Sequence, residues 1–120
     1  MGKKILIADD STSMRTMVTY ILSEEGHTVV AAIDGQDALS KFSGDVNLII
    51  TDLNMPKLNG IEFIRKIRSG IINRFVPIIM LTTESEETKK EEGRKAGATA
   101  WIVKPFTPAI LLETLKKVIG

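Results

Sequence analysis

The chain has 120 residues, of which 43% are hydrophobic and 26% charged, a composition typical of one globular domain with a core of its own. Its 16 lysines and arginines nearly balance 15 aspartates and glutamates without a long block of one sign, so we expect no nucleic-acid or membrane-surface partner. The lack of cysteine excludes disulfides, thiol catalysis and cysteine metal sites. The amino terminus shows neither a signal peptide nor a membrane span, which predicts a cytoplasmic protein.

Five short apolar runs predict five β-strands, each followed by a segment with helical patterning. Most of these runs are almost continuously hydrophobic, as expected of parallel strands whose two faces are both covered. The predicted strands are 4–8, 28–33, 47–51, 77–81 and 100–103. The alternation therefore predicts an α/β fold, a doubly wound five-stranded parallel sheet with helices on both faces and right-handed crossovers.

Apolar residues at helical spacing define three of the five predicted helices. The positions expected to face the core are Met14, Met17, Val18, Ile21 and Leu22 in the first helix, Phe63, Ile64, Ile67 and Ile71 in the third, and Leu111, Leu115 and Val118 in the fifth. The two methionines of the first helix are expected to fill space in the core. Gly26 is expected to end the first helix, and Thr107 with Pro108 to begin the fifth. The short run 36–42 predicts the second helix.

The fourth predicted helix, over about 84–97, has almost no apolar stripe. The residues able to pack inward are Ala96 and small residues such as Thr88 and Gly93. The pairs Glu86–Lys90 and Glu91–Lys95 are each expected to stabilise the helix by about 0.3–0.5 kcal/mol. Gly93 destabilises it by about 1 kcal/mol relative to alanine. The segment is either a plain solvated helix or, because it is weakly anchored, the movable part of a switch.

Polar residues follow four of the five predicted strands. They are Asp9 and Asp10 after the first strand, Asp52 after the third, Thr82 and Thr83 after the fourth, and Lys104 after the fifth. Taken singly, each group has an ordinary role. Asp10 with Ser11 could cap the first helix, and Thr83 with Glu86 could form a capping box for the fourth. Asp52 could begin a loop, and Lys104 could be a solvated lysine. In open α/β sheets, however, ligands bind at the carboxyl ends of the strands, so we expect these groups to converge on one site.

The adjacent carboxylates of Asp9 and Asp10 need a compensating charge. Like charges about 4 Å apart repel by roughly 4 kcal/mol at an effective dielectric near 20. A hard cation such as Mg²⁺, which takes oxygen ligands from one or two carboxylates, would offset this repulsion. A metal-binding carboxylate cluster beside an ammonium and a hydroxyl is suited to phosphoryl transfer. Asp52 is the expected acceptor, because a carboxylate can form an aspartyl-phosphate.

Four short motifs carry a resemblance to a known family. They are ADD at 8–10, TDLNMPKLNG at 51–60, LTT at 81–83 and VKPF at 103–106. In this order and spacing they resemble the response-regulator receiver domains of two-component signalling over essentially the whole chain, and most closely the family's single-domain chemotaxis regulators. The resemblance implies a flavodoxin-like (βα)5 fold with strand order 2-1-3-4-5. It also implies a monomer with a single receiver domain over 1–120 and no output domain.

The resemblance also implies a role for each residue of the expected site. The implied roles are phosphoacceptor for Asp52, switch hydroxyl for Thr82, charge partner of the phosphoryl group for Lys104, and aromatic switch residue for Trp101. The implied Mg²⁺ ligands are Asp10, Asp52, the backbone carbonyl of Asn54, and Asp9, which acts mainly through water. A cis peptide bond is expected between Lys104 and Pro105. In the family, the positions of Asn54 and Glu84 tune the hydrolysis rate.

The implied function is that of a phosphorylation-activated response regulator, a phosphoacceptor signalling protein rather than a conventional enzyme. Its phosphoryl donor would be a sensor histidine kinase of the chemotaxis type. The regulator itself would also take phosphoryl groups from acyl phosphates and would catalyse its own dephosphorylation. The output would run through the face of the fourth helix, fifth strand and fifth helix to a target such as the flagellar switch, with a phosphatase as a further partner. One alternative is a phosphorelay carrier that passes the phosphoryl group to a histidine phosphotransfer protein. A flavodoxin-like small-molecule binder is disfavoured, because the acidic first turn would repel a phosphate.

Three departures from the chemotaxis regulators of the family bear on partner choice. Thr83 stands where they carry alanine, so access to the acceptor is expected to differ. Trp101 replaces the commoner tyrosine or phenylalanine and lacks a phenol that could donate a hydrogen bond to a partner. The fourth helix begins with three acidic residues, Glu84, Glu86 and Glu87, where those regulators are basic, which predicts either a different partner or one with compensating charges.

Overall fold

In the computed structural model, which describes residues 2–83 and 87–119, five strands form one parallel sheet in the order β2-β1-β3-β4-β5. The strands are β1 (Lys4–Ala8), β2 (Thr28–Ala32), β3 (Leu48–Thr51), β4 (Ile78–Thr82) and β5 (Ala100–Val103). The helices are α1 (Thr12–Glu24), α2 (Gly35–Lys41), α3 (Gly60–Ser69), α4 (Glu87–Ala96) and α5 (Pro108–Ile119). The predicted fold and strand order are confirmed, and each predicted strand boundary lies within one residue of the observed one. Within the described ranges, no helix is long and apolar enough to cross a bilayer.

The sheet separates two apolar layers, because successive side chains of a strand point to opposite faces. In β1, Leu6 and Ala8 face one layer, and Ile5 and Ile7 face the other. The buried helical residues that cover the first layer are Ala38, Ile61, Phe63, Ile64, Ile67 and Ala96, from α2, α3 and α4. Those that cover the second are Val18, Ile21, Leu22, Leu111 and Leu115, from α1 and α5. The strands are almost continuously hydrophobic because both faces of the sheet are covered.

The ends of α1 and α5 follow their local sequence signals. Ser11 Oγ accepts a hydrogen bond from the Met14 amide at 3.3 Å at the start of α1. Thr107 Oγ1 accepts one from the Ile110 amide at 3.2 Å at the start of α5. The chain leaves α1 through Gly26, whose φ of +87° favours glycine. The predicted end of α1 and the predicted start of α5 are therefore confirmed.

Two side chains predicted for the core are exposed instead. Ile71, which is 94% exposed, does not continue the apolar stripe of the third helix, because α3 ends at Ser69 and Gly70 leads the chain away from the core. Met17 of α1 is 39% exposed. It lies at the margin of a stripe centred on other residues of α1, so the core-filling prediction is wrong for this methionine.

The helix α4 packs through very small residues. Its described part covers Glu87–Ala96 and ends one residue before the predicted end at 97; residues 84–86 of the predicted helix lie outside the described residues. Gly93 and Ala96 are buried, as predicted, whereas Thr88 is exposed. The helix therefore rests on the sheet with almost no apolar side chain of its own.

The charged side chains of α4 pair at a spacing of three residues. Glu91 pairs with Arg94 rather than with the predicted Lys95, and Lys89 lies 3.5 Å from Glu92. The predicted pair of Glu86 with Lys90 and the predicted capping box of Thr83 with Glu86 fall partly outside the described residues. These pairs are exposed, so each contributes little to stability.

The carboxyl end of α4 is held by Arg68 of α3. The guanidinium of Arg68 donates to the carbonyl oxygen of Gly97 at 2.7 Å from one nitrogen and 3.1 Å from another. It also donates to the carbonyls of Arg74 and Val76, both at 2.6 Å. One side chain therefore ties the end of α4 to α3 and to the segment that leads into β4. Burial lowers the pKa of the Arg68 guanidinium from its usual high value.

Candidate functional site

Four of the predicted site residues meet at the carboxyl edge of the sheet because their strands are neighbours in register. β1 and β3 are paired, so Asp9 and Asp52, which follow them, lie side by side. β4 and β5 are paired likewise, and the amide of Lys104 donates to the carbonyl of Thr82 at 2.7 Å. The peptide bond between Lys104 and Pro105 is cis, as predicted. The predicted convergence of strand ends is therefore observed for these residues.

Lys104 bridges two buried carboxylates. Its ammonium nitrogen lies 3.1 Å from Oδ2 of Asp9 and 3.5 Å from Oδ2 of Asp52. The side chain of Lys104 is only 12% exposed, and both aspartates are buried. Charges at this depth are screened much less than surface charges. The ammonium therefore acts on both carboxylates at once.

The Asp52 carboxylate is held in a fixed orientation. Its Oδ1 accepts a hydrogen bond from the amide of Leu53 at 2.8 Å, while Oδ2 faces Lys104. The amide of Asp52 donates to the carbonyl of Ala8 at 2.8 Å, which extends the pairing of β1 and β3 by one residue. Asp52 is 8% exposed, so it can be approached only from the open edge of the sheet.

Burial raises the pKa of Asp52 above its ordinary value of 3.8. The ammonium of Lys104 opposes this shift, and the negative charge of Asp9 adds to it. The hydrogen bond from the Leu53 amide lowers the pKa again by a smaller amount. The charge of the ionised Asp52 carboxylate is thus only partly compensated by its protein neighbours.

Three carboxylates form a cluster that can hold a metal ion. Among the described residues, one oxygen each of Asp9, Asp10 and Asp52 lie within 4.8 Å of one another. Asp10 is exposed, so the cluster opens to solvent on that side. An all-oxygen set with an opening to water fits Mg²⁺, which binds few carboxylates and keeps several waters. Asn54 lies on the exposed loop after Asp52, and the role of its carbonyl as a ligand stays a prediction.

Arg15, which the sequence analysis missed, helps to hold the turn between β1 and α1. Its guanidinium donates to the backbone carbonyl of Asp9 at 2.7 Å and to Thr12 Oγ1 at 3.2 Å. The Asp9 carboxylate accepts a further hydrogen bond from the amide of Ser11 at 2.9 Å. An arginine on the first turn after two aspartates was the available signal, but its backbone partner could not be read from spacing.

The two predicted switch residues occupy neighbouring strands. Thr82, at the end of β4, is completely buried. Trp101 of β5 is partly buried and packs against the apolar layer covered by α2, α3 and α4. Glu84, predicted to tune hydrolysis, lies outside the described residues. The roles of Thr82 and Trp101 in switching remain predictions.

The raised pKa of Asp52 predicts a pH-dependent stability difference in metal-free protein. Above its folded pKa, ionised Asp52 destabilises the native state; as the pH falls through that pKa, the native state binds the proton first and the destabilisation is lost. In EDTA at pH 7, Asp52→Asn is therefore expected to melt above the wild type, on the order of 4 °C for each kcal/mol relieved.

The measurement is the thermal midpoint of both proteins between pH 4 and pH 7, each with EDTA. The difference between the two midpoints is expected to shrink as the pH falls, because Asp52 becomes protonated. A difference that is constant across this range, or a wild type that is the more stable protein at pH 7, would contradict the assignment of a destabilising charge.

Comparison with known proteins identifies the family of this site. The profile described as "Response regulator receiver domain" matches residues 5–116. The chemotaxis protein CheY1 of Helicobacter pylori is 41% identical over 120 residues, covering 98% of this chain and 97% of that protein.

Solved structures agree with the sequence comparison. The chemotaxis protein CheY4 of Vibrio cholerae has a TM-score of 0.91 at 45% identity, covering 98% of this chain and 99% of the other. The receiver domain of the sensor histidine kinase PA1611 from Pseudomonas aeruginosa has a TM-score of 0.90 at 30% identity, covering 100% and 99%. With a family match over nearly its whole length, the chain belongs to the response regulator receiver domain family and is homologous to the CheY chemotaxis regulators.

Proposed function

We propose that this protein is the phosphorylation-activated response regulator of a two-component system, with Asp52 as its phosphoacceptor. The observation that carries the proposal is the buried Asp52 carboxylate, held beside the Lys104 ammonium and clustered with Asp9 and Asp10. A carboxylate in this setting is fixed in place and its charge is incompletely compensated. It is therefore prepared to take up a phosphoryl group together with a cation.

In the proposed reaction, an oxygen of Asp52 attacks the phosphorus of a phosphohistidine on the kinase. The new O–P bond forms as the P–N bond breaks, and the histidine nitrogen keeps the electron pair of the broken bond. Little covalent chemistry is asked of the protein in such a transfer, so positioning and electrostatic stabilisation supply most of the rate. Lys104, 3.5 Å from Asp52 Oδ2, is placed to meet the charge of the incoming phosphoryl oxygens.

The proposed metal is Mg²⁺, held by Asp10, Asp52 and the Asn54 carbonyl, with Asp9 acting through water. When bound, it would neutralise charge on the transferring phosphoryl group. The distances within the carboxylate cluster support this assignment. The similar receiver domain of Pseudomonas aeruginosa PA1611 is described with a magnesium ion in its active-site cleft, which further supports it. Self-catalysed uptake from acyl phosphates and autodephosphorylation at the same site belong to the proposal.

We propose that the output surface is the face of α4, β5 and α5. A groove of about 340 Å³ lies between α4 and β5, lined on one side by Lys90, Glu91 and Arg94 and on the other by Trp101. Thr82 links this face to the acceptor. It is the completely buried last residue of β4, and β4 pairs with β5, the strand that carries Trp101. Movement of Thr82 towards the phosphoryl group would alter the support beneath Trp101 and α4.

The proposed pathway is chemotaxis, in the cytoplasm, with a histidine kinase like that of chemotaxis systems as donor. Similarity to chemotaxis proteins of Helicobacter pylori and Vibrio cholerae over nearly the whole chain supports this pathway. A flagellar switch protein is the proposed target and a phosphatase a further partner. The mixed charge of the output groove, with Glu87 at its edge, suits a target whose charges differ from those read by a purely basic α4.

Phosphorylation at Asp52 is expected to require both the carboxylate and Mg²⁺. Wild-type protein incubated with acetyl phosphate and Mg²⁺ is expected to gain one phosphoryl group by intact-mass measurement. Asp52→Asn, which keeps the shape but loses the nucleophile, is expected to gain none, and EDTA is expected to abolish the gain in the wild type. Equal labelling of Asp52→Asn would disprove the acceptor assignment.

Mg²⁺ is expected to stabilise the folded protein, because it binds a cluster that exists only in the native state. A hundredfold excess over its Kd corresponds to about 2.7 kcal/mol of added stability. Asp10→Asn is expected to bind Mg²⁺ more weakly and to melt above the wild type in EDTA, because one repelling charge is gone. Isothermal titration and melting curves measure both effects; undiminished Mg²⁺ affinity in this variant would argue against Asp10 as a ligand.

Activation is expected to protect Trp101 from solvent. Because Trp101 is the only tryptophan, its fluorescence reports this change without a label. Beryllofluoride with Mg²⁺, which stands in for the phosphoryl group, is expected to reduce quenching of Trp101 by iodide. Thr82→Ala is expected to weaken this response, whereas Thr88→Ala, an exposed control on α4, is expected to leave it unchanged. Iodide accessibility that stays constant on full activation would exclude Trp101 as a moving part.

A further inference from the structure

Gly93 of α4 lies directly against the indole of Trp101. A Cβ atom at position 93 would stand 2.7 Å from Cζ3 of the indole and 3.3 Å from Cε3. The third nearest atom also belongs to this ring, at 3.9 Å. Non-bonded carbon atoms prefer separations of about 3.5–4.0 Å, so no side chain fits at position 93 while the indole stays in place. The ring of Trp101, rather than the backbone, is what excludes a side chain here.

The end of α4 that carries Gly93 is not free to move away from the ring. The Gly93 carbonyl accepts hydrogen bonds from the amides of Gly97 at 3.1 Å and Ala98 at 3.0 Å. The carbonyl of Gly97 in turn accepts two hydrogen bonds from the guanidinium of Arg68. Position 93 is therefore tied through the helix end to α3.

The backbone of Trp101 is equally fixed. It lies inside β5, paired in register with Met80 of the buried strand β4. With both backbones held, a side chain at position 93 can be accommodated only by rotation of the indole about its own side-chain torsions. The ring of Trp101 is thus the part that would move.

Glycine in the middle of a helix needs a reason, because it is the least favourable residue there apart from proline. Gly93 is not among the glycines with positive φ, so its backbone does not demand glycine. The reason that the structure offers is the close approach of Trp101. A large ring on the strand is matched by the smallest residue on the helix.

We propose that Gly93 is a positioning residue for Trp101, forming a seat that holds the indole partly buried against α4. The residue at position 93 then sets how far inward Trp101 lies before any phosphorylation. The bearing of this seat on signalling rests on the function proposed above, but the seat itself does not. A side chain at position 93 would turn the indole outward and change the face that a partner reads.

The test uses the full chain in EDTA without a phosphoryl donor, so that its outcome does not depend on chemistry at Asp52. Gly93→Ala is compared with Thr88→Ala, an alanine substitution at an exposed position of the same helix. Iodide quenching of Trp101 is expected to increase in Gly93→Ala and to match the wild type in Thr88→Ala. Quenching that is the same in all three proteins would overturn the proposal.

A second measurement separates the seat from a general effect on the helix. In the wild-type background, Gly93→Ala is expected to lower the thermal midpoint, because it displaces the ring. In a Trp101→Leu background, which lacks the indole, the same change is expected to raise the midpoint, because alanine is the better helix former. A rise in both backgrounds, or a fall in both, would overturn the proposal.

If Gly93→Ala does not fold with Trp101 present, the Trp101→Leu background still decides the matter. The proposal requires the double variant to fold and to melt above Trp101→Leu alone. A double variant that does not fold would show that glycine is needed for a reason other than the indole. Loss of phosphorylation in a separate assay would bear on the proposed function and leave these results untouched.

Discussion

The bridge of Lys104 between Asp9 and Asp52 is the interaction on which the rest of the site depends. Taking ionised groups out of water costs several kcal/mol for each ion unless partners replace the lost solvation. Here the ammonium and the amides of Ser11 and Leu53 supply that replacement, and the raised pKa of Asp52 shows that it is incomplete. The residual imbalance favours binding of a cation, because a cation completes what the protein leaves unsatisfied.

The fold makes this bridge possible between residues that are remote in sequence. Asp9 and Lys104 are 95 positions apart. They meet because parallel strands end at one edge of the sheet and because the long side chain of Lys104 spans the ends of β3 and β4, which lie between β1 and β5. The same register places Thr82 beside the residue that follows β5. A parallel sheet thus connects the charge at its edge with the helices on its faces, so that a change at Asp52 has a short physical route to α4.

Much of the fold was predictable because its causes are local or periodic. Continuous apolar runs predict buried parallel strands, and the shared edge of those strands predicts that Asp52 and Lys104 meet. Contacts set by tertiary geometry were not predictable in this way: the guanidinium of Arg68 binds backbone carbonyls, which leave no trace in residue spacing. Ile71 fits a helical stripe by periodicity, yet the helix ends before it. Gly93 was identified as a residue able to pack inward and as a weakness of its helix, but its contact with Trp101 was not, because that large neighbour lies on a different element.

The division of the core by the sheet has a consequence for which amino-acid substitutions the protein can accept. Trp101 and α4 belong to the layer that also holds α2 and α3, while α1 and α5 cover the opposite layer. Residues in separate layers share few partners, and substitutions without shared partners combine almost additively. Substitutions on α4 can therefore change the charges that this helix presents without disturbing the packing of α1, whose amino end follows two of the clustered carboxylates. Because α1 and α4 lie on opposite sides of the sheet, the surface of α4 can diverge in sequence while the carboxylates beside α1 keep their arrangement.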